Sequence, residues 1–188
     1  MDALLLSLFL CAWTEIFGKQ PLLFGAIEGR FAGAWQTRLG LVAAIGANAA
    51  IAAWVAGLLG PALTPEARRL LLALALLFAA VTMWWRLRKP DILEGWSLGP
   101  FATVCLGLFI LGFGESWTFL IIGIAVAFAD PWMAAVGGAL GTMAACALVP
   151  VLPETSVSQI RGPLSRRVTA ALYGVTAFSI AMASLRLL

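Results

Sequence analysis

The chain contains no histidine, so imidazole is absent as a metal ligand, a haem ligand or a proton carrier. Its three cysteines, Cys11, Cys105 and Cys146, each lie in an apolar run, and no C-x-x-C spacing occurs. An odd count so placed gives neither a disulfide framework nor a zinc site. Any metal would be held by oxygen, which suits Ca²⁺, Mg²⁺ or Mn²⁺. Charge is scarce as well: 11% of the 188 residues are Asp, Glu, Lys or Arg, against roughly 25% in soluble domains. The net charge of +3 is small and lies in short loops, which argues against a nucleic-acid surface. No nucleophile–base pair and no cofactor motif is visible, so neither an enzyme nor a bound cofactor is expected. The N-terminus, Met1-Asp2-Ala3, lacks a basic n-region, and its apolar run continues past Glu15 to Ile27. That run exceeds the h-region of a cleavable signal, so it is expected to be a first membrane segment.

What the chain has in excess is apolar residues, 62% of the total, with a mean hydropathy of +1.00. One globular core cannot absorb that surplus, so lipid is the expected outer solvent. A span needs about 20 mostly apolar residues. Six segments qualify: 3–28, 39–59, 67–86, 101–129, 132–152 and 167–186. The expected fold is therefore an all-α membrane protein, one transmembrane domain over 1–188, resident in the inner or plasma membrane if the host is bacterial.

The two halves align without gaps at an offset of 97. Leu23 matches Leu120, Ile27 matches Ile124, Trp35 matches Trp132, Gly40 matches Gly137 and Arg69 matches Arg166. Repeat one is expected over 1–88 and repeat two over 98–188, joined by a cytoplasmic linker at 87–99. Three spans per half is an odd number, so the second half inserts upside down relative to the first, the inverted-repeat plan of secondary transporters. Eight basic residues fall on one side (Arg30, Arg38, Arg86, Arg88, Lys89, Arg161, Arg166, Arg167) and three on the other (Arg68, Arg69, Arg186). The richer side is expected to be cytoplasmic and both termini non-cytoplasmic. The small-residue runs "GLVAAIGANAAIAA" and "AAVGGALGTMAACA" read as close-packing helix faces. Trp35, Trp84, Trp85, Trp96 and Trp132 read as interfacial anchors.

Against this background two glutamates stand out, Glu15 in "WTEIFGKQPLL" and Glu115 in "GFGESWTFLII". An acidic residue at the centre of a spanning helix costs about 2.5–3.5 kcal/mol on insertion scales. A cation, a proton or a paired polar group must compensate. Pro21 predicts that the first span kinks or opens near Phe17–Gly18, freeing carbonyl oxygens beside Glu15. The alternative for Glu15 is an i,i+4 clamp with Lys19. No basic residue lies near Glu115 in sequence, so it needs a partner from elsewhere, a bound ion or a proton. Asn48 and Thr142 are polar residues inside the second and fifth spans, either oxygen ligands or interhelical hydrogen-bonding groups. Trp13 and Trp117 are candidate walls of the site.

At these residues the chain resembles the Gdt-type cation exchanger family, within the wider lysine-exporter superfamily. Its hallmark is Glu-x-Gly-Asp-Lys/Arg-Ser/Thr, once in the first span and once in the fourth. Here "EIFGKQ" keeps the first Glu as Glu15 and the base as Lys19, while Gly18 stands at the Asp position. In "GFGESW" Glu115 stands at the Asp position, Gly114 at the Gly and Gly112 at the Glu. The resemblance extends to "FADPWMAAVGGALG" after the second motif. It implies export of Mn²⁺ or Ca²⁺ in exchange for protons. Glu15 and Glu115 would bind the metal, with Asn48, Gln20, Ser116 and Thr118 completing an oxygen shell of about six ligands. Two alternatives stand beside this: an exporter of a small organic solute such as an amino acid, and a non-transporting membrane scaffold. The expected partners are the cation, protons and the bilayer, with no nucleic acid; a homodimer is compatible with the sequence.

Overall fold

The computed structural model describes residues 1–32, 35–84, 96 and 98–185, apart from the side chains at 154, 156 and 158. Arg86, Arg88, Lys89, Arg186, Trp85 and most of the 87–99 linker lie outside the described residues. All regular structure among the described residues is helical. In chain order it runs α1 (Asp2–Ile16), α2 (Gln20–Arg30), α3 (Trp35–Ala62), α4 (Pro65–Trp84), α5 (Pro100–Gly112), α6 (Ser116–Phe128) and α7 (Pro131–Leu148). A 3-10 turn (Val149–Val151), α8 (Glu154–Ile160) and α9 (Pro163–Ser184) complete it.

Proline places most of the helix starts. Pro21, Pro100, Pro131 and Pro163 sit in the first turns of α2, α5, α7 and α9, where the missing N–H has no intrahelical acceptor to lose. Asp130 caps α7, its Oδ1 accepting from the Met133 N–H at 3.3 Å. Two alanines, Ala32 and Ala129, hold left-handed backbone at φ 50° and 55° after α2 and α6. They are 97 positions apart, the interval that relates the two halves of the sequence.

Three helices are long and apolar enough to cross a membrane: Trp35–Ala62, Pro65–Trp84 and the run Pro131–Val151. A fourth crossing results if α5 and α6, bent by 62° at their junction, form one broken span. The segment expected at 3–28 is interrupted instead: α1 ends at Ile16 and α2 starts at Gln20, so neither piece alone has the length. α9 has 22 residues but does not reach the same apolarity. Large apolar side chains such as Phe9, Trp54, Leu74 and Phe178 point outward, the arrangement expected where lipid is the solvent. Trp35, Trp84 and Trp132 are likewise exposed.

Glycine decides how closely the helices meet. α1 packs chiefly on α7, and α5 on α3. A β-carbon at Gly137 would run into the Leu4 backbone, 3.0 Å from its Cα, and one at Gly141 would stand 2.9 Å from the Ala12 nitrogen. On the other side a β-carbon at Gly40 would stand 2.8 Å from the Phe101 carbonyl oxygen. Such backbone-on-backbone contact is what the small-residue runs provide. α4 lies against α9 and α6, with Gly123 facing Leu72 and Ala75.

Candidate functional site

Both helix breaks fall at the motif residues. α1 stops one residue after Glu15, and the three residues Phe17, Gly18 and Lys19 separate it from α2. α5 stops at Gly112, and Phe113, Gly114 and Glu115 separate it from α6. The carbonyls expected to be free at these breaks are largely engaged. Thr14 and Glu15 oxygens accept from the Phe17 and Gly18 amides at 3.1 and 2.9 Å, and Leu111 and Gly112 oxygens from Gly114 and Glu115 at 3.1 and 3.3 Å. Tight turns thus close over each break.

Glu15 is completely buried, and neither carboxylate oxygen has a hydrogen-bond partner. Its carboxylate folds back over the break, so a β-carbon at Gly18 would stand 2.9 Å from Oε1. The space that an aspartate would need at position 18 is thus filled by Glu15 itself. Its charged neighbours are Glu115, which repels it, and Arg161, which attracts it. α7 packs against α1, with Cys11 on α1 and Cys146 on α7 both buried. Arg161, between α8 and α9, reaches into the break: its Nη2 donates to the Gly18 carbonyl oxygen at 2.5 Å, while Nη1 is buried without a partner.

Glu115 occupies the position before α6 in extended backbone, φ −92° and ψ 149°, and is less buried than Glu15. Its favourable charged neighbour is Lys19, from the other break. The i,i+4 clamp between Glu15 and Lys19 does not form. The helix ends between them, so their spacing no longer places them on one face, and no ion pair links them. The base that attracts each glutamate lies elsewhere in the chain instead, Arg161 for Glu15 and Lys19 for Glu115, with no direct ion pair in either couple.

A second polar group gathers at Gly112. A β-carbon there would collide with the Asn48 amide and stand 3.2 Å from Gln20 Nε2. Asn48 Nδ2 donates to the Phe109 carbonyl at 3.2 Å, and Thr118 Oγ1 to the Gly112 carbonyl at 2.8 Å. Gln20 is fully buried with both amide atoms unpartnered, and Asn48 Oδ1, Trp117 Nε1 and Thr142 Oγ1 are unpartnered too. Ser116 is buried at the start of α6. The fold therefore brings Gln20, Asn48 and Thr118 together about Gly112, and Glu15 and Glu115 within reach of each other's charge. Trp117 is wholly buried, but Trp13 is half exposed and donates to Thr169 Oγ1 at 3.3 Å, so it does not wall the site.

The unpartnered buried amide oxygens of Gln20 and Asn48 about Gly112, and the unpartnered Glu15 carboxylate at the first break, suit a guest that supplies positive charge or hydrogen-bond donors. Among the described residues no group of three or more His, Cys, Asp or Glu is placed to hold a metal, so two carboxylates are the most this region offers a cation. Arg161 was legible in sequence only as one basic loop residue among several; nothing local separates it from Arg166 or Arg167. Comparison of the chain with protein-family models, with curated proteins and with solved structures gives no match.

Proposed function

We propose that the protein is a secondary transporter that exports a divalent cation, Mn²⁺ or Ca²⁺, in exchange for protons. The observation that carries this reading is Glu15: a carboxylate with no exposed surface, both oxygens unpartnered, at the break between α1 and α2, where α1 packs against α7, a helix long and apolar enough to cross a membrane. Glu15 and Glu115 would bind the cation, with amide and hydroxyl oxygens of Gln20, Asn48, Ser116 and Thr118 around it. Two carboxylates balance one divalent charge, and protonating both releases it. The site lies in a frame of six spans forming two inverted three-helix repeats, with the termini non-cytoplasmic. Three features support that frame. The left-handed alanines and the close contacts of Gly40 on Phe101 and Gly137 on Leu4 recur at the interval of 97, and the two helix breaks fall 96 positions apart, one residue out of that register.

The test is Mn²⁺ and Ca²⁺ flux in proteoliposomes carrying a pH gradient. Wild-type protein should exchange cation for protons, and Glu15→Gln and Glu115→Gln should each lower the flux at least tenfold, about 1.4 kcal/mol in the barrier. Undiminished flux in Glu15→Gln would remove the central residue from the mechanism.

One observation favours a second reading, export of a small organic solute. Arg161 and Glu15 set opposite charges in one site, as a zwitterion such as an amino acid requires. Uptake of amino acids, with no inhibition by Mn²⁺ or Ca²⁺, would select it. Absence of any flux would leave the scaffold.

A further inference from the structure

We propose that Arg161 is a tethered cation that holds Glu15 while the site is empty and yields it to the cargo, so that cargo affinity is set by competition with the chain's own guanidinium. The inference rests on the cation-exchange reading and concerns what that reading leaves unexplained, a basic side chain bonded to the Gly18 carbonyl, next to the carboxylate proposed to bind the cation.

Geometry makes Arg161 a movable partner. It is anchored at one point only, the 2.5 Å bond from Nη2 to the Gly18 carbonyl oxygen. Its Nη1 and both Glu15 oxygens are buried, and neither group hydrogen-bonds the other or anything else. The two attract without the bidentate fork that fixes a structural arginine on a carboxylate. The side chain also has somewhere to go. A groove of about 430 Å³ between α2 and the 3-10 turn opens onto Arg161. Its backbone belongs to the short connection after α8, where Gly162 and Pro163 follow, so it is held by no long helix.

Charge supplies the logic. A lone carboxylate at this depth is costly when the site is empty, and a guanidinium neutralises it. A divalent ion arriving at Glu15 meets that guanidinium as a like charge and must displace it. Arg161 therefore weakens binding, which an exporter tolerates because it must also release its cargo.

The experiment is calorimetric titration of the purified full-length protein with Mn²⁺, comparing wild type, Arg161→Gln and Arg161→Lys. A competitor, once removed, leaves the site tighter: Arg161→Gln should lower the Mn²⁺ Kd at least tenfold, about 1.4 kcal/mol. Arg161→Lys keeps the charge and should stay near wild type. A merely structural arginine predicts the opposite sign. Equal or weaker binding by an Arg161→Gln protein with unchanged melting overturns the proposal. Should that variant fail to fold, the unaltered protein decides. Modification of Arg161 by phenylglyoxal, read by peptide mass spectrometry, should be faster with Mn²⁺ than without it, and an equal or slower rate overturns the proposal. A wild-type protein that binds no Mn²⁺ instead overturns the cation reading, a different result from failure of the Arg161 variants alone.

Discussion

The position of Glu15 depends on how tightly α1 is pressed onto α7, and a single methyl group at Gly137 tests that contact. In Gly137→Ala the new carbon would lie 2.9 Å from the Leu4 carbonyl carbon and 3.0 Å from its Cα. Backbone cannot yield by changing rotamer, so α1 must lift away from α7. Overpacking of this kind costs about 1–3 kcal/mol, and a rigid neighbour puts Gly137 at the upper end. Alanine regains about 1 kcal/mol over glycine in a helix, leaving a net loss of about 1–2 kcal/mol. At Gly40 the same change meets the Phe101 carbonyl at 2.8 Å and Val104 Cβ at 3.0 Å, so a loss of similar size is expected. Gly46 and Gly57 have nothing within 4 Å, and there alanine should stabilise. Thermal melting in detergent reads all four. With about 2–4 °C per kcal/mol for a chain of this size, Gly137→Ala and Gly40→Ala should melt several degrees lower and Gly46→Ala slightly higher. A Gly137→Ala protein melting at or above wild type would refute the close approach. Unequal losses at Gly40 and Gly137, one large and one absent, would weaken the case for a repeat.

Three further outcomes follow from single contacts. Tyr173→Phe removes a hydroxyl that bonds Thr14 Oγ1 at 3.1 Å and donates to the Leu10 carbonyl at 3.3 Å, so it should cost about 1 kcal/mol. Unchanged melting would show that α9 does not brace α1 there. Asp130→Ala removes the cap of α7 and should cost about 1 kcal/mol in the same assay, with no loss counting against the cap. A cysteine placed at Lys89 should resist an impermeant thiol reagent added to intact cells, because short loops rich in Lys and Arg stay cytoplasmic. Rapid labelling would reverse the orientation.

Much of the helical plan was legible because it rests on local chemistry. Pro21, two residues beyond Lys19, placed the first break, and α1 does end at Ile16. The glycine runs foretold close packing, which Gly40, Gly137 and Gly141 make concrete. The crosswise attraction of the charges was not legible. It depends on the break turning Lys19 away from Glu15, and on Arg161 crossing 143 positions of sequence to reach the Gly18 carbonyl. Trp13 misled for a related reason. An aromatic two residues before a buried acid looks like a wall, but helical rotation carries it to the α9 side, where Thr169 receives its N–H. Thr14, read only as a neighbour of Glu15, instead ties α1 to Tyr173.

The glycines at the two motif positions are explained by space and charge together. At position 18 the volume belongs to the Glu15 carboxylate, and at position 112 to the amides of Asn48 and Gln20. An added acid at either place would have to evict a group already packed there and would raise the negative charge at membrane depth. With one glutamate per break, each acid has one base to face, Arg161 for Glu15 and Lys19 for Glu115. Under the proposed function, these two bases would offset part of the cost of the carboxylates while the site is empty. Two more acids would need two more cations, and the chain places no further basic side chain against either glutamate among the described residues. On the proposed reading, a cation that enters has to offer the two carboxylates more than Arg161 and Lys19 do.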